Sequence, residues 1–309
     1  MTTVFEAAPD IYQVQFDNDS DLTNCEVYLL RGEVGAVIEA GPAALIPQVL
    51  EALRLLRWDY TDIAYVIPTH LHLDHGGGAG ALTQALPQAK VVAHCRGARH
   101  FVNPSELIEG TREAFGPDFE RTYGAILPVL SERVLGVADG EVLDLGGKQL
   151  QILYTPGHAP HHMSVLDKET KSLFCGDALG RYFPELDLIC PTITLPMFDR
   201  ELARDSTAKM RQVGAGFLAF SHGGVCRNVN RMIDLAEEAV DVFCGMALEA
   251  LGQNLSVAEL AARFRDYHRK LVAGWADGSV PEKFRDGLKK DYTNMAKALL
   301  AYHKKASLA

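Results

Sequence analysis

The sequence predicts a layered α/β core followed by an all-helical C-terminal extension, and three observations carry that expectation. Short apolar runs bounded by turn residues alternate with helical spacing through the first two thirds of the chain, a succession that implies sheets packed against helices. From about Asn228 onward the pattern is helical throughout. Side chains able to bind metal stand just past several of the apolar runs, beside glycine.

Taken in order, residues 11–16, 25–30 and 35–38 read as strands, with Arg31-Gly32-Glu33 as the turn between the second and third. Residues 42–56 have helical spacing through Leu45, Val49, Leu53 and Leu56. The apolar run 63–67 reads as a strand that ends in His70-Leu71-His72-Leu73-Asp74-His75, followed at once by three glycines. A helix over 79–86 and a strand over 90–94 come next. From 97 to 128 the pattern turns helical and irregular and carries Phe101, Phe115, Phe119 and Tyr123. This insertion forms either a lid or wall over a pocket or a local helical excursion. Strand patterns resume at 141–145, 149–154, 164–167 and 172–175, with Asp167 to Thr170 as a hairpin loop, and a helix over 200–213 leads to a strand at 216–220. In the tail, Ser256 with Glu259 makes a capping box flanked by Leu255 and Leu260. Ser279 with Glu282 repeats the box, with Pro281 in the first turn. The expected division is a core over 1–228, with 97–128 inserted, and a helical subdomain over 229–309 that packs on its own core or against a second subunit.

Composition narrows the function classes. The 309 residues carry a formal charge of -10, which argues against a broad nucleic-acid or anionic-membrane surface, because such surfaces need clustered Lys and Arg. The basic residues of the tail, such as Arg263, Lys270, Lys289 and Lys304, interleave with Asp266, Asp286 and Asp291 and read as a solvated helix face. No secretory signal is legible at the N-terminus, and no run approaches the ~20 apolar residues that cross a bilayer. The six cysteines are scattered without a C-x-x-C pair, the usage of free thiols in a reducing compartment, so the expected location is the cytoplasm.

The candidate chemistry lies at four strand exits. His70 and His72, two apart on extended backbone, face the same side, and Asp74 and His75 continue the loop toward a second ion. His158 follows the strand 149–154 in Thr155-Pro156-Gly157-His158, Asp177 follows 172–175 in Cys175-Gly176-Asp177, and His222 follows 216–220 in Ser221-His222-Gly223. A divalent ion needs several donors held about 2 Å away, and seven N and O donors in this recurring context point to a metal centre. His161 and His162 fit a pocket role or an ordinary surface role, whereas His94, His100, His268 and His303 lack partners in sequence and are read as non-ligands. Cys175, Cys190 and Cys226 lie near the ligand segments and are expected as buried thiols that support the site.

H-x-H-x-D-H, a His after Thr-Pro-Gly, a Gly-Asp and a terminal His-Gly form a motif series that resembles the metallo-β-lactamase superfamily, over roughly Ile11 to Cys226. The resemblance implies a four-layer αβ/βα sandwich with the helical extension appended. It implies that His70, His72 and His158 bind one metal, that Asp74, His75 and His222 bind a second, and that Asp177 bridges them. True β-lactamases of the superfamily usually have Cys where Asp177 stands, which argues against antibiotic hydrolysis. The early strand of relatives commonly ends in Asp-Thr-Gly, whereas this chain has Glu39-Ala40-Gly41-Pro42, a departure that bears on how the ligands are supported.

The expected activity is hydrolysis of a small ester, thioester or lactone by hydroxide formed at two divalent ions. Imidazole and carboxylate ligation suits zinc, and also iron or manganese. Asp74 is expected to orient the attacking water or carry its proton. Tyr182, five residues past Asp177, either donates to the developing oxyanion or packs in the core. The alternative is a di-iron redox or oxygen-binding protein on the same fold. Its flavodiiron branch commonly has Glu where His72 stands and adds a flavodoxin-like domain, which this chain lacks.

Overall fold

The structure is a computed structural model that describes residues 2–16, 25–116, 119–194, 196–272, 280 and 282–306. Its first half is a seven-stranded sheet in sequence order: β1 (Thr2–Ala8), β2 (Ile11–Phe16), β3 (Val27–Arg31), β4 (Gly35–Ile38), β5 (Ile63–Ile67), β6 (Lys90–His94) and β7 (Val134–Val137). The first four strands pair antiparallel and the last four parallel. Helix α1 (Ile46–Leu55) links β4 to β5, and α2 (Leu73–Gly76) and α3 (Ala79–Ala85) link β5 to β6. The insertion folds as α4 (Ala98–Val102), α5 (Ser105–Phe115) and α6 (Phe119–Tyr123). A second, six-stranded sheet follows, from β8 (Val142–Asp144), β9 (Gln149–Tyr154), β10 (Met163–Asp167) and β11 (Ser172–Gly176). The hairpin β12 (Arg181–Phe183) and β13 (Leu188–Cys190) and then α7 (Arg200–Gln212) precede its last strands, β14 (Phe217–Phe220) and β15 (Gly224–Cys226).

Period-2 alternation sorts the strand residues into layers. Val27 and Leu29 of β3 face α1 and α3, whereas Tyr28 and Leu30 face the second sheet. Ile38, Ile67 and Val92 meet Ile152, Val165 and Phe174 between the sheets. On the far side, Leu166, Leu173 and Leu218 pack under Met210 of α7 and Ile233 of α8 (Val229–Gly252). The result is helix, sheet, sheet, helix, the four-layer sandwich expected. Burial on both faces explains why these strands read as near-continuous apolar runs. β1 is absent from the sequence expectation because it is an edge strand with half its residues toward solvent, so it carries no apolar run.

The tail adds α9 (Val257–Leu271) and α10 (Glu282–Ala306) to α8. The capping box at α9 is present: Glu259 N–H donates to Ser256 Oγ at 3.3 Å and Ser256 N–H to Glu259 Oε2 at 2.7 Å. The second box, with Ser279 and Pro281, falls outside the described residues. Phe243 and Phe264 stack at 4.2 Å within a cluster that also takes in Phe183, Leu188, Cys190, Ile193 and Phe198 from the β12–β13 region. The tail therefore packs on its own chain. No helix among the described residues is long and apolar enough to cross a membrane.

His268 sits in this tail cluster, fully buried, with Nδ1 2.7 Å from Tyr292 Oη. Burial pushes its pKa down to about 4, against ~6.5 in an unfolded chain. The unfolded state thus takes up the proton first, and stability present above pH ~6.5 is lost as pH falls toward the folded value. Urea unfolding of metal-free protein at pH 7 and pH 4 should show the parent losing about 3 kcal/mol more than His268→Gln. Equal losses would exclude this role.

Candidate metal centre

All seven donors stand at the same end of the two sheets, in loops that leave β5, β9, β11 and β14. His70 and His72 precede α2, Asp74 and His75 lie in its single turn, His158 and Asp177 come from the second sheet, and His222 joins β14 to β15. The glycine before Asp177 is required. Gly176 has φ +54°, and a Cβ there would stand 2.4 Å from His162 Nε2.

The donors form two groups. His70 Nε2, His72 Nδ1 and His158 Nε2 lie 2.9, 3.0 and 3.2 Å from one another. Nitrogens bound to one tetrahedral ion at 2.0–2.1 Å stand roughly 3.3 Å apart. His75 Nε2 and His222 Nε2 are 3.3 Å apart, and each is 3.5 Å from Asp74 Oδ2. Asp177 spans the groups, with Oδ2 3.5 Å from His158 Nε2 and Oδ1 3.5 Å from His75 Nε2. That Oδ1 is buried and has no hydrogen-bond partner among the described residues, a state that buried carboxylate oxygens avoid unless a cation meets them. Residues of both groups gather within 4.8 Å as potential ligand sets. Donor chemistry, spacing and the orphaned oxygen all fit a pair of divalent ions.

Outer partners set which ring nitrogen faces inward, as a metal site needs. His158 Nδ1 donates to Thr192 O at 2.7 Å, which leaves Nε2 bare. Thr69 Oγ1 donates to Glu39 Oε1 at 2.7 Å, so it accepts from His70 Nδ1 at 3.0 Å and frees His70 Nε2. His75 Nδ1 lies 3.0 Å from Glu39 Oε1, and Ser221 Oγ donates to that oxygen at 2.6 Å. The departure at Glu39 therefore costs the site no support: a fully buried carboxylate on left-handed backbone (φ 63°) reaches Thr69, His75 and Ser221 on two of the ligand loops. His162 is clamped on both nitrogens, accepting from Asp177 N–H at 3.0 Å and sharing 2.8 Å with Thr155 Oγ1.

Electrostatics favour neutral imidazoles in the first group and ionised carboxylates beside it. At His75 burial works downward, but Cys25, Asp74, Glu39 and Asp177 outweigh it and push the imidazole well above its ordinary value. Burial, then the neighbouring imidazoles, pushes His70 well below its ordinary value, and burial pushes His72 down to about 3. For Asp177 burial works upward, but His75, His222 and His158 outweigh it and hold the group at about 2. Burial likewise opposes ionisation of Asp74, and the surrounding histidines overcome it.

Tyr182 and Cys25 stand beside the ligand loops. Tyr182 packs its ring on Phe220 at 5.2 Å, and its hydroxyl bonds Cys226. The ring is partly buried and packs on the cluster that contains Leu179, Ile189 and Phe220. Cys25, treated only as a scattered thiol, lies 3.6 Å from His75 Nδ1 behind the second group. Nothing in its spacing signalled this, because the segment before β3 and the His75 loop meet only through the tertiary fold. Cys175, Cys190 and Cys226 join none of the potential ligand sets, nor do His94, His100, His161, His162, His268 and His303.

Comparison with known proteins agrees with this geometry. The family model of the metallo-beta-lactamase superfamily matches residues 21–222, and the chain belongs to that superfamily. It is 30% identical over 244 residues to the metallo-beta-lactamase fold-containing protein ST1585 of Sulfurisphaera tokodaii, covering 75% of this chain and 87% of that protein. It is also 30% identical to the acyl-coenzyme A thioesterase MBLAC2 of Gallus gallus, over 50% of this chain and 57% of the relative. An N-acyl homoserine lactonase of a Bacillus species is 28% identical over 54% and 57% of the two chains. The chain thus spans little more than half the length of these two enzymes. A metallo-beta-lactamase family protein from Thermus thermophilus superposes with TM-score 0.68 at 22% identity, over 97% of this chain and 95% of that one, so the shared fold extends through the helical tail.

Shortening the hub carboxylate tests its part in the centre. Glu39→Asp should lower metal affinity about 10–100-fold, the usual effect of losing a group that orients a ligand, as read by competition with a chromophoric chelator. Unchanged affinity would show that His75 is oriented without it.

Proposed function

We propose that this protein is a metal-dependent hydrolase of a small ester, thioester or lactone. The observation that carries the reading is the pair of donor groups joined by Asp177, three imidazoles on one side and two imidazoles with Asp74 on the other. His70, His72 and His158 would hold one divalent ion, Asp74, His75 and His222 the other, with Asp177 between them. When bound, such a pair lowers the pKa of a shared water toward ~7 and polarises the substrate carbonyl. The chain's own residues do the rest. Asp177, with only 7% of its side chain exposed, stays ionised and fixes the spacing of the groups. Asp74 is the more open carboxylate, with 21% of its side chain exposed, and is placed to orient the attacking water and take its proton.

Similarity to a thioesterase and a lactonase supports carbonyl substrates. The acidic balance of the chain weighs against nucleic acid as substrate or partner. We place the reaction in the cytoplasm, on the strength of six free cysteines. His72, where the flavodiiron branch commonly has Glu, weighs toward zinc over the di-iron alternative.

His72→Ala and Asp177→Ala should each lower bound metal, measured by elemental analysis of protein purified without added metal, and reduce turnover at least about 100-fold. A panel of thioesters, lactones and phosphodiesters identifies the bond cleaved. Full activity in metal-free protein would rule the mechanism out, and purification with two irons and no hydrolysis would establish the redox alternative.

A further inference from the structure

His162 belongs to neither donor group, yet it is fully buried and both of its ring nitrogens are engaged. Nε2 lies 3.0 Å from the backbone nitrogen of Asp177, and Nδ1 lies 2.8 Å from Thr155 Oγ1. Thr155 Oγ1 is in turn 2.9 Å from Ser164 Oγ, which reaches Cys175 O at 3.4 Å and Met210 Sδ at 3.7 Å. Thr155 and Ser164 are also fully buried. A polar chain therefore runs from the end of β9 across β10 to β11, behind the turn that presents Asp177.

The protons along this chain can be placed from one end. A backbone N–H is an obligatory donor, so His162 Nε2 is a bare acceptor. A neutral imidazole carries its proton on the other nitrogen, and Nδ1–H donates to Thr155 Oγ1. The Thr155 hydroxyl is left to donate to Ser164 Oγ, and the Ser164 hydroxyl has Cys175 O and Met210 Sδ as acceptors.

That order bears on Asp177. Its two oxygens each lie 3.5 Å from a nitrogen of one donor group, and the main chain behind them is held at both ends. The carbonyl accepts from Thr192 Oγ1 at 2.7 Å and from Gly180 N–H at 3.0 Å. Among the described residues the N–H has one acceptor, His162 Nε2. Left-handed Gly176 seats the turn on that ring, since a Cβ there would stand 2.4 Å from Nε2 and 2.9 Å from Cε1.

We propose that His162 is a positioning residue: its bare Nε2, kept bare by the chain through Thr155 and Ser164, fixes the backbone of Asp177 so that the carboxylate spans both ions. The inference rests on the two-ion reading of the site and is independent of the bond cleaved.

Two substitutions separate the two ring nitrogens. In His162→Gln the amide oxygen takes the place of Nε2 and accepts from Asp177 N–H, while the link to Thr155 is lost. In His162→Asn the shorter amide replaces Nδ1–H toward Thr155, and Asp177 N–H is left without an acceptor. Folded variants, checked by circular dichroism, are stripped of metal and titrated with zinc against a chromophoric chelator. His162→Asn should hold its second zinc at least about tenfold more weakly than His162→Gln, the usual effect of losing a group that orients a ligand. A role in packing alone would weaken both variants equally. Independently of metal, the imidazole nitrogen resonances of the metal-free parent should show His162 as the Nδ1–H tautomer. Equal affinities in the two variants, a weaker Gln variant, or the Nε2–H tautomer overturns the proposal. A parent that takes up only one zinc overturns the two-ion reading and this proposal together, an outcome distinct from two ions held equally by both variants.

Discussion

The carboxylate of Glu39 is the interaction on which the rest of the centre depends. It accepts from Thr69 N–H and Thr69 Oγ1, lies against His75 Nδ1, and accepts from Ser221 Oγ. Those partners come from the exits of β5 and β14 and from α2, so one buried group ties the two sheets together where they end. Each contact also decides a tautomer or a loop position one bond away from a metal-facing atom. A non-glycine residue at positive φ costs about 1–3 kcal/mol, and here four hydrogen bonds to a buried charge, each roughly 1.5–3 kcal/mol, offset it. The main chain adds latches of its own, Ala40 N–H to His75 O at 2.8 Å and Gly78 N–H to Gly41 O at 2.8 Å.

That hub makes physical sense of an otherwise unfavourable arrangement. Five imidazoles and two carboxylates converge in a largely buried volume, with ring nitrogens of His70, His72 and His158 directed at one another. Bare lone pairs so close together repel, and buried carboxylates without partners are costly. The scaffold tolerates this because rigid layers stand behind every loop: apolar packing between the sheets and helices on both outer faces. The tail reinforces the second sheet's side. Arg181 on β12 pairs with Asp291 of α10 at 2.7 Å, and Tyr182 N–H donates to His222 O at 3.0 Å. A chain of contacts thus runs from the C-terminal helix to the loop that carries the last donor.

Much of this was legible in the sequence, for a local reason. A donor placed just past an apolar strand, beside glycine, needs only strand geometry to be recognised, and His158, Asp177 and His222 all have that signature. Strands buried on both faces announce themselves by composition, whereas β1, half exposed at an edge, does not. Tyr182 illustrates the limit. Its nearness to Asp177 is plain in the sequence, whereas the packing of its ring on Phe220, far along the chain, is not. Tyr123, remote from Leu73 in sequence, packs against it in the fold.

Residue type and spacing by themselves determined the layered class, the helical tail and the seven candidate donors, because each is written in patterns only a few residues long. Tertiary structure alone decided which donors share a group, which ring nitrogen each imidazole turns inward, and that Glu39 and Cys25 stand behind them. Those outcomes depend on distances between segments separated by tens to nearly two hundred positions, as with Ser221 and Glu39. Such distances are set by how sheets stack and strands register, and no local pattern encodes them.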